Sequence, residues 1–283
     1  MVGGSLFNTA IAIGRLGAPS GYFGGLSTDF FGDQLRDAFK ASRVDFSLSP
    51  VSERSTMCAF VKLFDGQARY SFIDEGSAPR MLAIDDLPVL DAGVKALHLG
   101  SLALIREPCG TAYETLCARE HASRVISFDP NIRAGLVKDR PAYIARIKRF
   151  VAMADVVKLS DEDLHWIAPD IDAQAFAQDW LNHGAKIVVI TRGGEGALAF
   201  TKSLKLAIPC IKVKVADTVG AGDTFTAGVL ASLHRQGKLS KPAIASIDEA
   251  SLREALSFAA RAAAITCSRP GADPPWADEL AAG

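Results

Sequence analysis

The 283-residue chain balances 31 lysines and arginines against 32 aspartates and glutamates, a net charge of -1. With no basic stripe and no aromatic-basic interleaving, this excludes nucleic acid as a partner. No apolar run approaches the roughly 18 residues of a membrane span, which excludes a membrane helix.

Met1-Val2-Gly3-Gly4 lacks the layout of a secretory signal. Five cysteines, odd in number and never spaced C-x-x-C, point to a reducing cytoplasm and away from a zinc site. The five histidines pair with neither cysteines nor one another at ligand spacing and read as ordinary surface or core residues.

In chain order, Asn8 to Leu16 carries apolar residues at helical spacing, and Gly17 stops it. Gly3-Gly4 precedes this helix, with Ser5 and Asn8 on its first turns. Either Ser5 caps a glycine turn, or backbone and the Asn8 amide approach a ligand there. After a glycine-rich turn over 24–32, a helix is predicted over about 33–41. Two apolar runs, Met57–Phe64 and Ala68–Ile73, flank Asp65-Gly66, a strong hairpin signal.

A buried strand is centred on Leu97-His98-Leu99, with His98 as a satisfied core histidine, followed by a helix over about 108–121 and the strand Val125–Phe128. That strand ends in Asp129-Pro130-Asn131-Ile132-Arg133. Polar groups just past the carboxyl end of a strand stand where ligands sit in open α/β sheets; a Pro-Asn turn with a solvated arginine is the alternative. A helix over 142–153 precedes the apolar run at Val156, where Ser160 caps a helix with Asp161, Glu162 and Asp163 in its first turn. The strand Ile187–Thr191 feeds a tight loop, Arg192 to Gly196. An Ala-rich helix over 252–267, soft enough to pack closely, ends the pattern.

The most informative stretch is Asp217-Thr218-Val219-Gly220-Ala221-Gly222-Asp223-Thr224. A β-type run (Ile211, Val213, Val215) leads in, and a helical pattern (Phe225, Val229, Leu230, Leu233) leads out. Gly220 and Gly222, with Ala221 between them, leave backbone N–H groups unobstructed at a positive helix end, a turn suited to an anion. A carboxylate there would repel a phosphate unless it takes a proton from a hydroxyl attacking that phosphate, so Asp223 reads as a general base for phosphoryl transfer. A cap alone is the bland alternative. A dinucleotide fingerprint wants glycine where Phe225 stands, and Gly237-Lys238 is followed by Leu239, so neither better-known phosphate loop is present.

This stretch matches D-T-x-G-A-G-D at every position and so resembles the signature of the ribokinase-like (PfkB) family of sugar and nucleoside kinases. Gly3-Gly4-x-x-x-Asn8 resembles the family's first signature, and Gly25-x-x-x-Asp29-x-x-Gly32 its next turn. Asp129-Pro130-Asn131-x-Arg133 and Lys158-x-Ser160 resemble its fructokinase-like branch, as does Phe72…Glu75-Gly76-Ser77-Ala78. The resemblance implies that Asp223 is the catalytic base, with Gly220, Ala221 and Gly222 as the anion hole. It places Gly4, Ser5, Asn8, Asn131 and Arg133 on the acceptor sugar, and Lys158, Ser160, Thr191, Gly193 and Gly196 at ATP. Asp163, with Glu162, would organise Mg²⁺ through water, and a K⁺-like cation would sit by Asp217, Val219, Thr266 and Gly271. Asp163 stands where glutamate is usual in the family.

The implied fold is a single domain over 1–283: a three-layer α/β/α sandwich with a mostly parallel central sheet and a small, incomplete β lid at about 50–76. Strand-helix alternation supports this independently. Relatives place about thirty residues before the Gly-Gly signature, including a core strand and a sugar-binding aspartate. The expectation is therefore a late start or a shortened protein, whose open edge could pair with another chain as a homodimer. The expected activity is transfer of the ATP γ-phosphoryl to a primary hydroxyl of a small sugar, with fructose ahead of 2-keto-3-deoxygluconate. A catalytically weak sugar- or nucleotide-binding protein is the alternative of another class.

Overall fold

A computed structural model describes residues 2–64 and 67–281. Six strands form the central sheet: β7 (Ala96–Gly100), β8 (Val125–Asp129), β9 (Val156–Ser160), β10 (Ile187–Thr191), β11 (Ala197–Phe200) and β12 (Lys205–Ile208). They lie side by side in that order, β7 to β10 parallel and β11 and β12 antiparallel. Short strands precede them: β1 (Ser20–Gly21), β2 (Leu26–Ser27), β3 (Val44–Asp45), β4 (Val51–Ser52), β5 (Cys58–Phe64) and β6 (Gln67–Ile73). Of these β1 pairs with β3 and β2 with β4, both parallel, while β5 and β6 form an antiparallel hairpin. The Asp65-Gly66 turn expected between β5 and β6 lies outside the described residues.

Both faces of the sheet are covered, which is why its strands read as continuous apolar runs. Ile126, Phe128, Val157, Leu159, Val188 and Ile190 point to one side. There they meet α3 (Cys109–Glu120), α4 (Arg140–Met153) and α6 (Ala173–His183). The intervening Val125, Val156, Ile187 and Val189 point the other way, to α7 (Ala221–Arg235), α8 (Lys241–Ala245) and α9 (Glu249–Cys267). The Ala-rich pattern does permit close packing, since a Cβ on Gly228 would fall 2.6 Å from the Ala259 Cα across the α7–α9 contact. Elsewhere lie α1 (Ser5–Arg15), which packs on α7, α2 (Phe30–Ala41) and α5 (Asp161–Ile167). A last short helix, α10, covers Ala277–Ala281.

Three local expectations need correction. α1 begins at Ser5, but Ser5 does not cap it, because its hydroxyl is turned elsewhere. Asp29 caps α2, so that helix starts at Phe30, three residues before the spacing predicts. Ile211, Val213 and Val215 form no strand; they are exposed and pair with no strand of the sheet. Just past the segment, the Ala216 and Asp217 amides donate to the Cys267 carbonyl.

Asp29 fastens α2 to the base of the β5–β6 hairpin. Its carboxylate accepts from the Gly32 amide (2.8 Å), the Thr56 hydroxyl (2.6 Å) and the Thr56 amide (2.7 Å). Partial desolvation works to raise this carboxyl, but the donors outweigh it and hold the group down at about 2. Its stabilisation is therefore complete above the usual carboxylate range and lost as pH falls towards 2. Asp29→Ala is expected to cost about 0.5–2 kcal/mol at neutral pH, the worth of a helix cap. In urea unfolding the gap between variant and parent should narrow from about pH 4 downwards; a gap that is independent of pH would show that the charge plays no part.

Candidate active site

The parallel register brings the carboxyl ends of β7 to β10 to one edge, with Gly100 beside Asp129 and Ser160 beside Thr191. The segments after these strands hold the polar residues that the sequence singles out. On the other side of the sheet, α7 begins at the same edge with its glycine turn. Gly220 adopts φ 77°, and a Cβ there would fall 2.5 Å from the Ala272 Cβ, so both conformation and space require glycine. The Ala221 amide makes a long bond to the Thr218 carbonyl (3.3 Å), and the first-turn amides of α7 otherwise lack an intrahelical acceptor, so the positive end of the helix can receive negative charge.

Asp223 is the third residue of α7 and is 7% exposed. One carboxylate oxygen accepts from Ser5 Oγ (2.7 Å) and the other from Asn8 Nδ2 (2.8 Å), both on α1. Burial pushes the carboxyl above its usual range, partly opposed by Ser5, Asn8 and the Lys158 ammonium. A carboxylate made more basic beside an anion-accepting turn can take a proton from an alcohol. Asn8 thus gives its amide nitrogen to Asp223, while Ser5 also borders the adjoining cavity.

That cavity, about 130 Å³, opens between the start of α1, the β2 region and the segment after β7. Gly4, Ser5, Ser27 and Thr56 line it, with Arg80 and Arg106 on its wall. Asp74, also on the wall, binds Arg106 (2.6 Å) and Arg80 (3.5 Å), leaving one positive charge in excess. Sequence reading missed Ser27, Thr56 and both arginines, which stand isolated in the chain with no motif to mark them. Asn131 and Arg133 do not border the cavity; they are linked to Ser5 instead.

Lys158 is the one charged side chain that β9 turns towards α7. It is 7% exposed, its Nζ lies 3.0 Å from Asp129 Oδ2, and a Cβ on Gly222 would come within 2.9 Å of it. Burial works to lower the Lys158 ammonium, but Asp129 foremost, then Asp223 and Asp163, raise it, so it stays charged beneath the turn. Asp163 and Ser160 cap α5 reciprocally, and Asp163 also accepts from the Ile132 amide (2.9 Å). Burial pushes the Asp163 carboxyl up, with Asp129 adding to the effect. Glu162 is exposed.

Thr191 leads into a loop with Gly193 at φ 49° and Gly196 at φ 87°; a Cβ on Gly196 would strike the Ile208 carbonyl at 2.1 Å. Close packing of this loop against the end of β12 is a structural reason for glycine at 196. Asp217 bridges two loops, accepting from the Val219 amide (3.0 Å) and the Gly271 amide (2.9 Å), which hold its carboxyl low. Thr266 is fully buried, its hydroxyl bonded to Thr224 and the Ala262 carbonyl.

A doubly covered, mostly parallel sheet with a buried carboxylate beside a glycine-lined helix N-terminus suits a phosphotransferase acting on an alcohol. The chain belongs to the pfkB family of carbohydrate kinases, whose model matches residues 1–279. It is 54% identical over 251 residues to a fructokinase of Rhizobium leguminosarum bv. trifolii, covering 89% of this chain and 77% of that protein. Among solved structures it is similar to the fructokinase of Xylella fastidiosa with bound ATP, at TM-score 0.90 and 28% identity, covering 99% and 89% of the two chains. It is likewise similar to the fructokinase of Vibrio cholerae O395 with fructose, ADP and calcium ion bound, at TM-score 0.86 and 28% identity, covering 99% and 90%. No helix among the described residues is long and apolar enough to cross a membrane.

Proposed function

We propose that this chain is a fructokinase, transferring the γ-phosphoryl group of ATP to a primary hydroxyl of fructose. The observation that carries this reading is Asp223, buried with a raised carboxyl at the start of α7 and joined through Ser5 to an open cavity. In this reading fructose occupies the cavity against Gly4 and Ser5, with its reacting hydroxyl towards Asp223. ATP lies along the strand ends, by Ser160, Thr191 and Gly193. As the hydroxyl attacks, Asp223 takes its proton while the amides of Gly220, Ala221 and Gly222 receive the charge growing on the transferred group.

Mg²⁺ keeps several waters and leans on substrate phosphates, so it needs no protein cage. No group of three metal-ligating side chains occurs among the described residues, and both Asp163 oxygens already accept backbone amides, so Asp163 and Glu162 fit contact through water. Bound there, the ion would neutralise phosphate charge. The loops that Asp217 ties together bring Val219, Gly271 and the end of α9 into one place, where backbone carbonyls suit a K⁺-like cation that stiffens the turn. Five free cysteines accord with a reducing cytoplasm. Exposed Phe60 and Ile73 on the β5–β6 hairpin suit a homodimer.

The surplus positive charge of Arg80 and Arg106 favours a second reading, a sugar acid such as 2-keto-3-deoxygluconate as acceptor. A coupled ADP-release assay over fructose, 2-keto-3-deoxygluconate and ribose separates the two. Fructose is expected to give the highest kcat/KM; a higher value for the sugar acid would transfer the assignment. ATP binding without ADP release on any sugar would leave only a binding protein.

A further inference from the structure

Arg133 and Asn131, which the family resemblance places on the sugar, form a hydrogen-bond chain that ends on Asp223. A guanidinium has donors only, and Arg133 Nη1 lies 2.6 Å from Asn131 Oδ1. That contact orients the Asn131 amide, whose Nδ2 donates to Ser5 Oγ at 2.7 Å. Ser5 then has its single proton left for Asp223. Reversing any link would set donor against donor. Asn131 holds its place at φ 38°, a left-handed backbone uncommon outside glycine, with its own amide bonded to Asp129 Oδ1 at 3.1 Å.

We propose that Asn131, oriented by Arg133, is a positioning residue for phosphoryl transfer, acting through Ser5 to fix the carboxylate of Asp223 that receives the acceptor's proton. The inference rests on the reading of Asp223 as the base. The groups facing Asp223 are Ser5 and Asn8 from α1, the Lys158 ammonium from β9 and the Asp129 carboxylate from β8. Burial raises the carboxyl, and Ser5 leads the groups that bring it down, so loosening Ser5 moves it up.

Glycine is at home at φ 38°, so Asn131→Gly removes the amide without demanding a new backbone, and its thermal midpoint should not fall. The variant is expected to lose roughly 10-fold to 100-fold in kcat with fructose, at unchanged KM for fructose and ATP. Its Asp223 carboxyl, followed by carbon-13 NMR, should titrate at higher pH than in the parent. Asn131→Asp, which tolerates the same backbone but offers Ser5 an acceptor, should lose at least as much. A raised KM for fructose at full kcat would make Asn131 a sugar ligand and overturn the proposal, as would an unmoved Asp223 titration. A parent chain inert on fructose, whose Asp223 titration still shifts in Asn131→Gly, would remove the fructose reading and uphold the relay.

Discussion

Asp223→Ala and Asp223→Asn are expected to lower kcat by roughly 10²–10⁴-fold, the usual worth of a general base, while ATP binds as before. The size follows from where the carboxylate stands. It is buried, held from both sides by Ser5 and Asn8, and set at the start of α7 where the transferred group's charge would grow. Asn keeps the shape and an acceptor for Ser5, loses the bond accepted from Asn8, and has almost no affinity for a proton, so beside Asp223→Ala it helps to separate base chemistry from architecture. A pH profile adds an independent check. A general base works only when ionised, and burial pushes the Asp223 carboxyl above the ordinary carboxylate range. Parent kcat should therefore fall as pH is lowered through a value above that range, and the residual rate of Asp223→Asn should lack this limb. Equal turnover in parent and variants would remove Asp223 from the role.

Legibility in the sequence followed the range of the interactions. The sheet was readable because Ile187–Thr191 is a continuous apolar run and the other parallel strands keep apolar residues towards α3, α4 and α6, and the glycine turn because its backbone demands are local. Ser5 shows the limit. Its position before a helix says cap, yet a partner 218 residues away claims the hydroxyl. Asp163 shows a motif whose local reading was right, since it caps α5 reciprocally with Ser160. Ile211, Val213 and Val215 alternate as a strand should, but alternation cannot supply a neighbouring edge. The cavity wall was the least visible part, because Arg80 and Arg106 meet only through Asp74.

Lys158→Met should destabilise the chain by about 3–5 kcal/mol in urea unfolding, the cost of breaking a buried ion pair from one side. Lys158 and Asp129 are 9% and 3% exposed in their side chains and stand 3.0 Å apart. Removing the ammonium leaves Asp129 charged, buried and short of its partner, whereas methionine fills the space of the stem. Most of the loss is thus the stranded carboxylate, which makes a second substitution decisive. Adding Asp129→Asn to Lys158→Met removes that charge and should recover a large part of the stability. A double variant as unstable as the single one would show that packing, not charge, accounts for the loss. Catalysis should respond differently. Lys158 lies against Gly222 and favours the ionised form of Asp223, while Asp129 opposes it. In Lys158→Met the acid limb of kcat should therefore move to higher pH, and adding Asp129→Asn should bring it part of the way back. Stability and acid limb restored in parallel would mean that one buried pair both supports the sheet–α7 layer and tunes the base above it.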